Sequence, residues 1–69
     1  MGVSSSKYIN TLMFIGNVYI RLGLLENAMQ TLMEAELLQV THFGSENFQY
    51  SLILMSLGVL YEKLGDLST

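Results

Sequence analysis

One segment of this chain occurs twice, and this internal repeat limits the possible folds more than any other feature of the sequence. Residues 12–23 reappear at residues 54–65, a shift of 42 positions. Six pairs are identical at that shift: Leu12 and Leu54, Met13 and Met55, Gly16 and Gly58, Tyr19 and Tyr61, Leu22 and Leu64, Gly23 and Gly65. Two further pairs match in chemical type: Ile15 with Leu57, and Arg21 with Lys63. Self-similarity at a fixed period of this length is typical of stacked repeat proteins.

The order of these residues resembles the tetratricopeptide repeat, whose pattern is Trp-x2-Leu-Gly-x2-Tyr, then Ala-x3-Phe and a closing Pro. Leu12 stands at the usual Trp position, Leu32 at the Phe and Val40 at the Pro. Small residues stand where helices of the family pack closely. The residues that carry this packing signature in the two copies are Leu12, Gly16, Tyr19, Ala28, Leu32, Ala35, Leu54, Gly58 and Tyr61.

The period of 42 residues is longer than the usual 34 of this family. It resembles the longer repeats of kinesin light chains, in which each helix gains about a turn. The stretch 43–46, Phe-Gly-Ser-Glu, is similar to the Leu-Gly-x-x loop of those proteins, although their following Pro is missing here. The resemblance therefore covers about one and a half repeats.

The resemblance and the spacing of apolar residues predict an all-α fold, an antiparallel helical hairpin followed by a third helix. Gly23 is expected to end the first helix, Leu24 offers the second no side-chain cap, and Ser45 or Asn47 can cap the third. The predicted divisions are a disordered 1–5, a first helix pair at 6–41 (helices 6–22 and 25–41), a loop at 42–46, a third helix at 47–64 and a truncated start of the next helix at 65–69.

Apolar residues spaced three and four apart predict the buried faces of the helices. The expected faces are Ile9, Leu12, Ile15, Tyr19 and Leu22, then Leu25, Ala28, Met29, Leu32 and Ala35, then Tyr50, Leu54, Leu57, Tyr61 and Leu64. Gln39 is expected on the solvent side. We expect Gly16 and Ala28 to form the tight contact of the hairpin and the third helix to pack on the first. Tyr19 and Tyr61 should then have equivalent environments.

Composition argues against several classes of function. The net charge is −3 with three basic residues, so the clustered Lys and Arg of a nucleic-acid surface are missing. The chain has no cysteine, and His42 stands alone in a predicted loop, so we expect no metal site and no cofactor. No nucleophile or phosphate-loop motif occurs, so an enzyme is not expected. The apolar runs are too short to span a bilayer.

In the family, the first helices of successive repeats line a groove that holds a peptide, so the resemblance implies a protein or peptide partner. The groove residues that it implies are Asn10, Met13, Asn17, Arg21, Met55, Val59 and Lys63, with Ile20, Leu52 and Glu62 beside them. An Asn and a cation one turn apart could bind an acidic peptide. The alternatives are that these residues are solvated or packed, and that the repeats form a structural spacer, a self-assembling segment or a regulatory array of a larger enzyme or ATPase.

The chain is expected to be a fragment that self-associates, because a single repeat cannot bury its own apolar face. Leu52, Ile53, Leu57, Leu60 and Leu64 should not all be able to face one hairpin, so we expect a homodimer, two-fold or with exchanged third helices. Residues 1–6 fit a loose N-myristoylation pattern at Gly2, but a cloned start is the preferred interpretation. We expect a cytoplasmic location.

Overall fold

The described part of the chain folds into three helices joined by short turns. The computed structural model describes residues 6–68, with side chains described for residues 6–65. It contains α1 (Ser6–Leu22), α2 (Leu25–Phe43) and α3 (Phe48–Ser68), and no strand among the described residues. The predicted all-α fold is therefore confirmed. The expected disorder of residues 1–5, which include Gly2, concerns residues outside the described part of the chain.

A tight turn at Gly23 reverses the chain between α1 and α2. Gly23 has φ of 81°, a left-handed conformation in which a side chain would be strained. Its amide donates to the Ile20 carbonyl at 3.1 Å, and the Leu24 amide donates to the Tyr19 carbonyl at 2.9 Å. These two bonds are the pair that defines a Schellman C-cap. As expected, Leu24 gives α2 no side-chain cap.

The core of the hairpin lies along one stripe of α2. Its buried residues alternate at spacings of three and four, which keeps them on one face: Leu25, Ala28, Leu32, Ala35 and Gln39. α1 contributes the buried residues Ile9, Leu12, Met13, Gly16 and Ile20. The apolar members of both sets form one contiguous cluster, so burial of these side chains holds the two helices together.

Gly16 is the point where α1 allows the closest approach of α2. A Cβ atom placed on Gly16 would lie 2.7 Å from both Cγ and Cδ2 of Leu32, closer than packed carbon atoms come. Leu32 has no exposed surface. The residue in close contact with Gly16 is therefore Leu32, and not Ala28 one turn earlier as the sequence suggested.

The buried face of α1 is rotated from the predicted one. Ile15 and Leu22 are 37% and 66% exposed, whereas Met13 and Ile20 are buried. Apolar residues surround α1, so their spacing is compatible with several faces. The face centred on Gly16 is the one that lets the helix axes come close, and this contact decides the rotation.

A polar cluster joins the end of α2 to the start of α3. The Asn47 side-chain oxygen accepts a hydrogen bond from the Tyr50 amide at 3.1 Å, so Asn47 is the N-cap of α3. Gln39 donates to the same oxygen at 3.1 Å and to the Gly44 carbonyl at 3.2 Å. Gln39 is fully buried, so its predicted solvent position is wrong. Gly44 and Asn47 accept the hydrogen bonds of its side-chain N–H groups, while its buried side-chain oxygen has no hydrogen-bond partner among the described residues.

α3 packs chiefly on α2 and to a smaller extent on α1, whereas the sequence suggested packing on α1. Ile53, Leu57 and Leu60 are buried, and Leu52 and Leu64 are half-buried against the core. The expectation that these five side chains could not all face one hairpin is therefore wrong. α3 packs mainly on α2, so α2 covers the larger part of this face.

The two copies of the repeated segment have different surroundings. Tyr19 is half-buried, whereas Tyr61 is 55% exposed and Leu54 is 44% exposed. α2 covers the first copy, and no described helix covers the second in the same way. Gly65 also differs from its equivalent Gly23, because it lacks a positive φ and α3 continues through it to Ser68. A helical Gly costs only about 1 kcal/mol relative to Ala, so the helix can continue where a turn was expected.

Candidate functional site

A cleft of about 500 Å³ lies between α1 and α3. Its lining from α1 is Phe14, Asn17, Val18, Ile20 and Arg21, and its lining from α3 is Val59 and Lys63. Both helices run antiparallel to α2, so they lie side by side in the same direction. The repeat therefore places equivalent positions of its two copies along opposite walls of one cleft.

The register of the repeat brings two cations together in this cleft. Arg21 and Lys63 are equivalent positions, and Asn17 and Val59 are equivalent positions one turn before them. On each helix, residues four apart lie about 6 Å apart along the axis on the same side. The α1 wall of the cleft thus carries Asn17 and, one turn further along, Arg21, while the α3 wall carries Val59 and then Lys63.

The electrostatics of the cleft are unlike those of the whole chain. The chain has a net charge of −3 and three Lys and Arg residues, yet two of those three line this cleft and no carboxylate lines it. Neither Arg21 nor Lys63 has an ion-pair partner among the side chains that the structure describes. Two cations without a carboxylate partner attract an anionic group to this one place.

The polar and apolar parts of the cleft can act on different parts of a ligand. Arg21 presents five N–H donors in a planar fork that matches a carboxylate, and Lys63 presents a point charge. Asn17 can both donate to and accept from a peptide bond. Phe14 is 70% exposed and Val18 is 37% exposed, so the apolar part of the wall is accessible to a ligand side chain.

A separate polar contact joins α1 and α3 at the opposite end of the helices. Gln49 donates to the Asn10 side-chain oxygen at 2.9 Å and to the Ser6 carbonyl at 3.5 Å. The Ser6 hydroxyl donates to the Gln49 side-chain oxygen at 3.0 Å. Asn10 is thus bound within the fold and does not line the cleft.

The structure brings four of the seven peptide-binding candidates together. Asn17, Arg21, Val59 and Lys63 line the cleft. Met13 and Met55 do not line it: Met13 is buried in the hairpin core, while Met55 is 66% exposed. The rotation of α1 separates these two equivalent methionines.

The other residues that the sequence singled out lie in three kinds of environment. Among the neighbours of the groove, Ile20 lines the cleft, Leu52 is half-buried in the core and Glu62 is exposed outside the cleft. Of the packing residues, the following are buried: Leu12, Gly16, Ala28, Leu32 and Ala35. The remaining ones are half-buried Tyr19 and exposed Leu54, Gly58 and Tyr61.

Sequence reasoning missed Phe14 and Val18. They lie four residues apart on α1 and flank Asn17, so they share a side of the helix with the groove candidates. A search at helical spacing would have found Phe14 three residues before Asn17 and Val18 three residues before Arg21.

Other chemistry is not visible in the described part of the chain. No group of three or more His, Asp or Glu side chains there could hold a metal ion. None of the described helices is long and apolar enough to cross a membrane.

Comparison with known proteins identifies the repeat. The family model "Tetratricopeptide repeat" matches residues 9–39, which cover most of α1 and α2. Neither a curated protein nor a solved structure matches the chain. The family match does not test the 42-residue, kinesin light chain-like subtype, which stays a prediction. Repeats of this family generally mediate protein–protein interaction and are generally not catalytic. Residues 9–39 of this chain are therefore a tetratricopeptide repeat.

Proposed function

We propose that the cleft between α1 and α3 binds an extended acidic segment of a partner protein, including one that ends in a free carboxylate. The family supports a protein partner, and the electrostatics of the cleft support an acidic one. The observation that carries the proposal is the meeting of Arg21 and Lys63, two of the three basic residues of the chain, in a cleft without a carboxylate.

Each side chain has a separate role in this proposal. Arg21 binds a carboxylate through two parallel N–H bonds, and Lys63 adds a second charge-assisted bond. Asn17 bonds to the peptide backbone one turn away. Phe14 and Val59 contact an apolar side chain of the ligand, because amide and charge contacts alone leave the rest of a peptide unspecified.

Fluorescence anisotropy with a labelled peptide rich in Asp and Glu tests this proposal. Arg21→Ala and Lys63→Ala should each weaken binding about tenfold, the equivalent of 1.4 kcal/mol. The loss should be larger at low salt than at 0.5 M, because ions screen exposed charges. Binding should also weaken when Lys replaces the acidic residues of the peptide.

Lys7→Ala is the matched control for these variants. Lys7 is the third basic residue of the chain; it is exposed on α1 and does not line the cleft. The control changes the net charge as much as each cleft variant does, and it should leave the affinity within twofold. Equal losses in all three variants would show that net charge, and not the cleft, attracts the peptide.

A structural spacer is the alternative within the same family. In that case Asn17 and Arg21 are solvated surface residues, and no peptide binds at any ionic strength. A regulatory array of a larger enzyme or ATPase is a further alternative, in which the same cleft contacts another domain. A cytoplasmic location also remains part of the proposal, and imaging of a fluorescent fusion of the chain tests it.

Self-association is the second candidate function, and exposed apolar residues favour it. Phe48 is 77% exposed, Phe14 70%, and Leu37 and Met55 are each 66% exposed. Side chains of this size contribute about 1.5–3 kcal/mol each when fully buried, so a second copy that covers some of them is stabilised. A homodimer remains a prediction, and light scattering at increasing protein concentration tests it.

A further inference from the structure

A second concave surface lies wholly on α2. It has a volume of about 540 Å³ and is lined by Met33, Glu34, Glu36, Leu37 and Val40. We call these five residues the α2 patch. Met33, Leu37 and Val40 are 53%, 66% and 45% exposed, so the apolar part of the patch is open to solvent.

The spacing of the α2 patch makes it a separate face of the helix. Met33, Leu37 and Val40 follow one another at four and three residues, which aligns them in one stripe. The buried stripe of α2 contains Leu32, Ala35 and Gln39 instead, and these face the other helices. Because α1 and α3 occupy that buried side, the α2 patch remains uncovered.

The α2 patch and the cleft are complementary in charge. The patch has two carboxylates and no cation, whereas the cleft has two cations and no carboxylate. Glu34 accepts a hydrogen bond from the Tyr8 hydroxyl at 3.2 Å, which holds one carboxylate oxygen at the rim of the patch. Its other oxygen, together with Glu36, can accept hydrogen bonds from a second molecule.

The two surfaces also match in length and in apolar content. The stripe from Met33 to Val40 covers eight residues, about 10 Å of helix from first to last, and so does the wall from Phe14 to Arg21. Phe14 is among the most exposed large apolar residues of the chain, and the hollow between Met33 and Val40 has the apolar lining that such a ring requires. The cations lie beyond Phe14 along the wall, where the carboxylates of a second copy would face them.

We propose that the α2 patch of one copy docks in the α1–α3 cleft of another copy. This inference rests on the proposed function, because it names a second copy as an acidic occupant of the same cleft. The patch and the cleft share no residue and lie on different helices of one packed unit, so one molecule cannot satisfy both by itself.

Such an assembly is head-to-tail. A pair of copies leaves the cleft of one and the patch of the other free, so further copies can add and the contact produces chains rather than a closed two-fold dimer. The contact is small compared with a standard interface of about 1,600 Å², so association should be weak and visible at about 300 µM protein.

Charge reversal in two variants tests the docking directly. Variant A carries Arg21→Glu and Lys63→Glu, and variant B carries Glu34→Lys and Glu36→Lys. In each variant the cleft and the patch carry charge of the same sign. Each variant should therefore sediment as a monomer at about 300 µM, and its self-association should be at least tenfold weaker than that of the unmodified chain. An equimolar mixture of A and B should associate again, because the cleft of each then meets a patch of opposite sign.

A control variant separates docking from a general effect of charge. Lys7→Glu changes the charge away from both surfaces, so it should associate like the unmodified chain. Phe14→Ala and Leu37→Ala test the apolar contact without a charge change, and each should weaken association several-fold while circular dichroism shows an unchanged helix content.

The outcomes distinguish this inference from the peptide proposal. Variant B should still bind the acidic peptide, because its cleft is intact, and the peptide should dissolve the assemblies of the unmodified chain. A monomeric unmodified chain at 300 µM, or a mixture of A and B that stays monomeric, overturns the docking and leaves the peptide proposal standing. If the mixture of A and B associates but the unmodified chain binds no acidic peptide, the peptide proposal is overturned, and a second copy remains the occupant of the cleft.

Discussion

Replacement of Gly16 by Ala tests the close contact on which the hairpin depends. The new Cβ would lie 2.7 Å from Cγ and Cδ2 of Leu32, so one of the two residues must move. Leu32 is fully buried, so any shift of its side chain disturbs the packing of the core around it. Overpacking of this kind costs about 1–3 kcal/mol, while the change from Gly to Ala in a helix contributes about 1 kcal/mol in the opposite direction. The net result should be a loss of up to about 2 kcal/mol.

Gly58→Ala is the matched control, because Gly58 is the repeat equivalent of Gly16. It is also helical, but a Cβ there meets nothing within 4 Å. This variant should stabilise the chain by about 0.5–1 kcal/mol, since Ala loses less backbone entropy than Gly on folding and its Cβ contacts nothing. The two variants should therefore differ by about 1–3 kcal/mol, which corresponds to several degrees in the thermal midpoint of a domain of this size.

Urea and thermal unfolding followed by circular dichroism measure this difference. A double-mutant cycle with Leu32→Ala locates it: the loss caused by Gly16→Ala should shrink once the Leu32 side chain is removed. If Gly16→Ala and Gly58→Ala stabilise the chain equally, the close approach of α1 and α2 at Gly16 is refuted.

Three further predictions concern the turns and the polar contacts. Gly23→Ala forces a side chain into the left-handed conformation and should lower the free energy of unfolding by about 1–2 kcal/mol, measured in urea. Asn47→Ala removes the N-cap of α3 and one partner of buried Gln39, so it should cost about 1–2 kcal/mol, and a loss below 0.3 kcal/mol would contradict this role. The hydrogen bond to Glu34, the negative charge of Glu34 and some burial raise the pKa of Tyr8. The protonated Tyr8 hydroxyl therefore stabilises the fold fully below about pH 10, and this stabilisation is lost as the pH rises through the raised pKa. Alkaline unfolding of Tyr8→Phe should lack that part of the pH dependence, and identical curves for the two proteins would refute it.

The main course of the chain could be predicted from local signals in the sequence. The repeat at 42 residues and the spacing of apolar residues predicted three helices, and Gly23 and Leu24 predicted the form of the first turn. These signals are local: a left-handed Gly and the absence of a capping side chain act within one turn of the backbone. Asn47, one of the two residues predicted to cap α3, likewise acts on the backbone within one turn.

The errors arose where packing between helices decides the result. α1 is apolar on all sides, so its sequence could not distinguish the face with Ile15 from the face with Ile20. Gln39 is polar, and only its contact with the loop and with Asn47 explains its burial. The sequence suggested that the third helix ends before Gly65, but α3 continues to Ser68. A glycine alone does not end a helix; the packing around it decides whether the chain turns there.

The sequence predicted one pair of equivalent cleft residues correctly and another pair incorrectly. Arg21 and Lys63 lie together because the repeat places them in register, and a repeat can be read from the sequence. Met13 and Met55 are in register as well, yet they separate because Met13 faces α2. Equivalence in a repeat therefore predicts neighbouring positions, but exposure depends on the rotation of each helix.

The central claim is that an acidic peptide binds between α1 and α3, and a two-dimensional NMR titration of the labelled chain tests it most directly. The account predicts that the largest shift changes saturate together at the amides of Asn17, Val18 and Val59 and at the side-chain N–H of Arg21. At a protein concentration well below that of self-association, amides of the α2 patch, such as that of Leu37, should move little. Shift changes confined to α2, or spread evenly over the chain without saturation, would contradict the account.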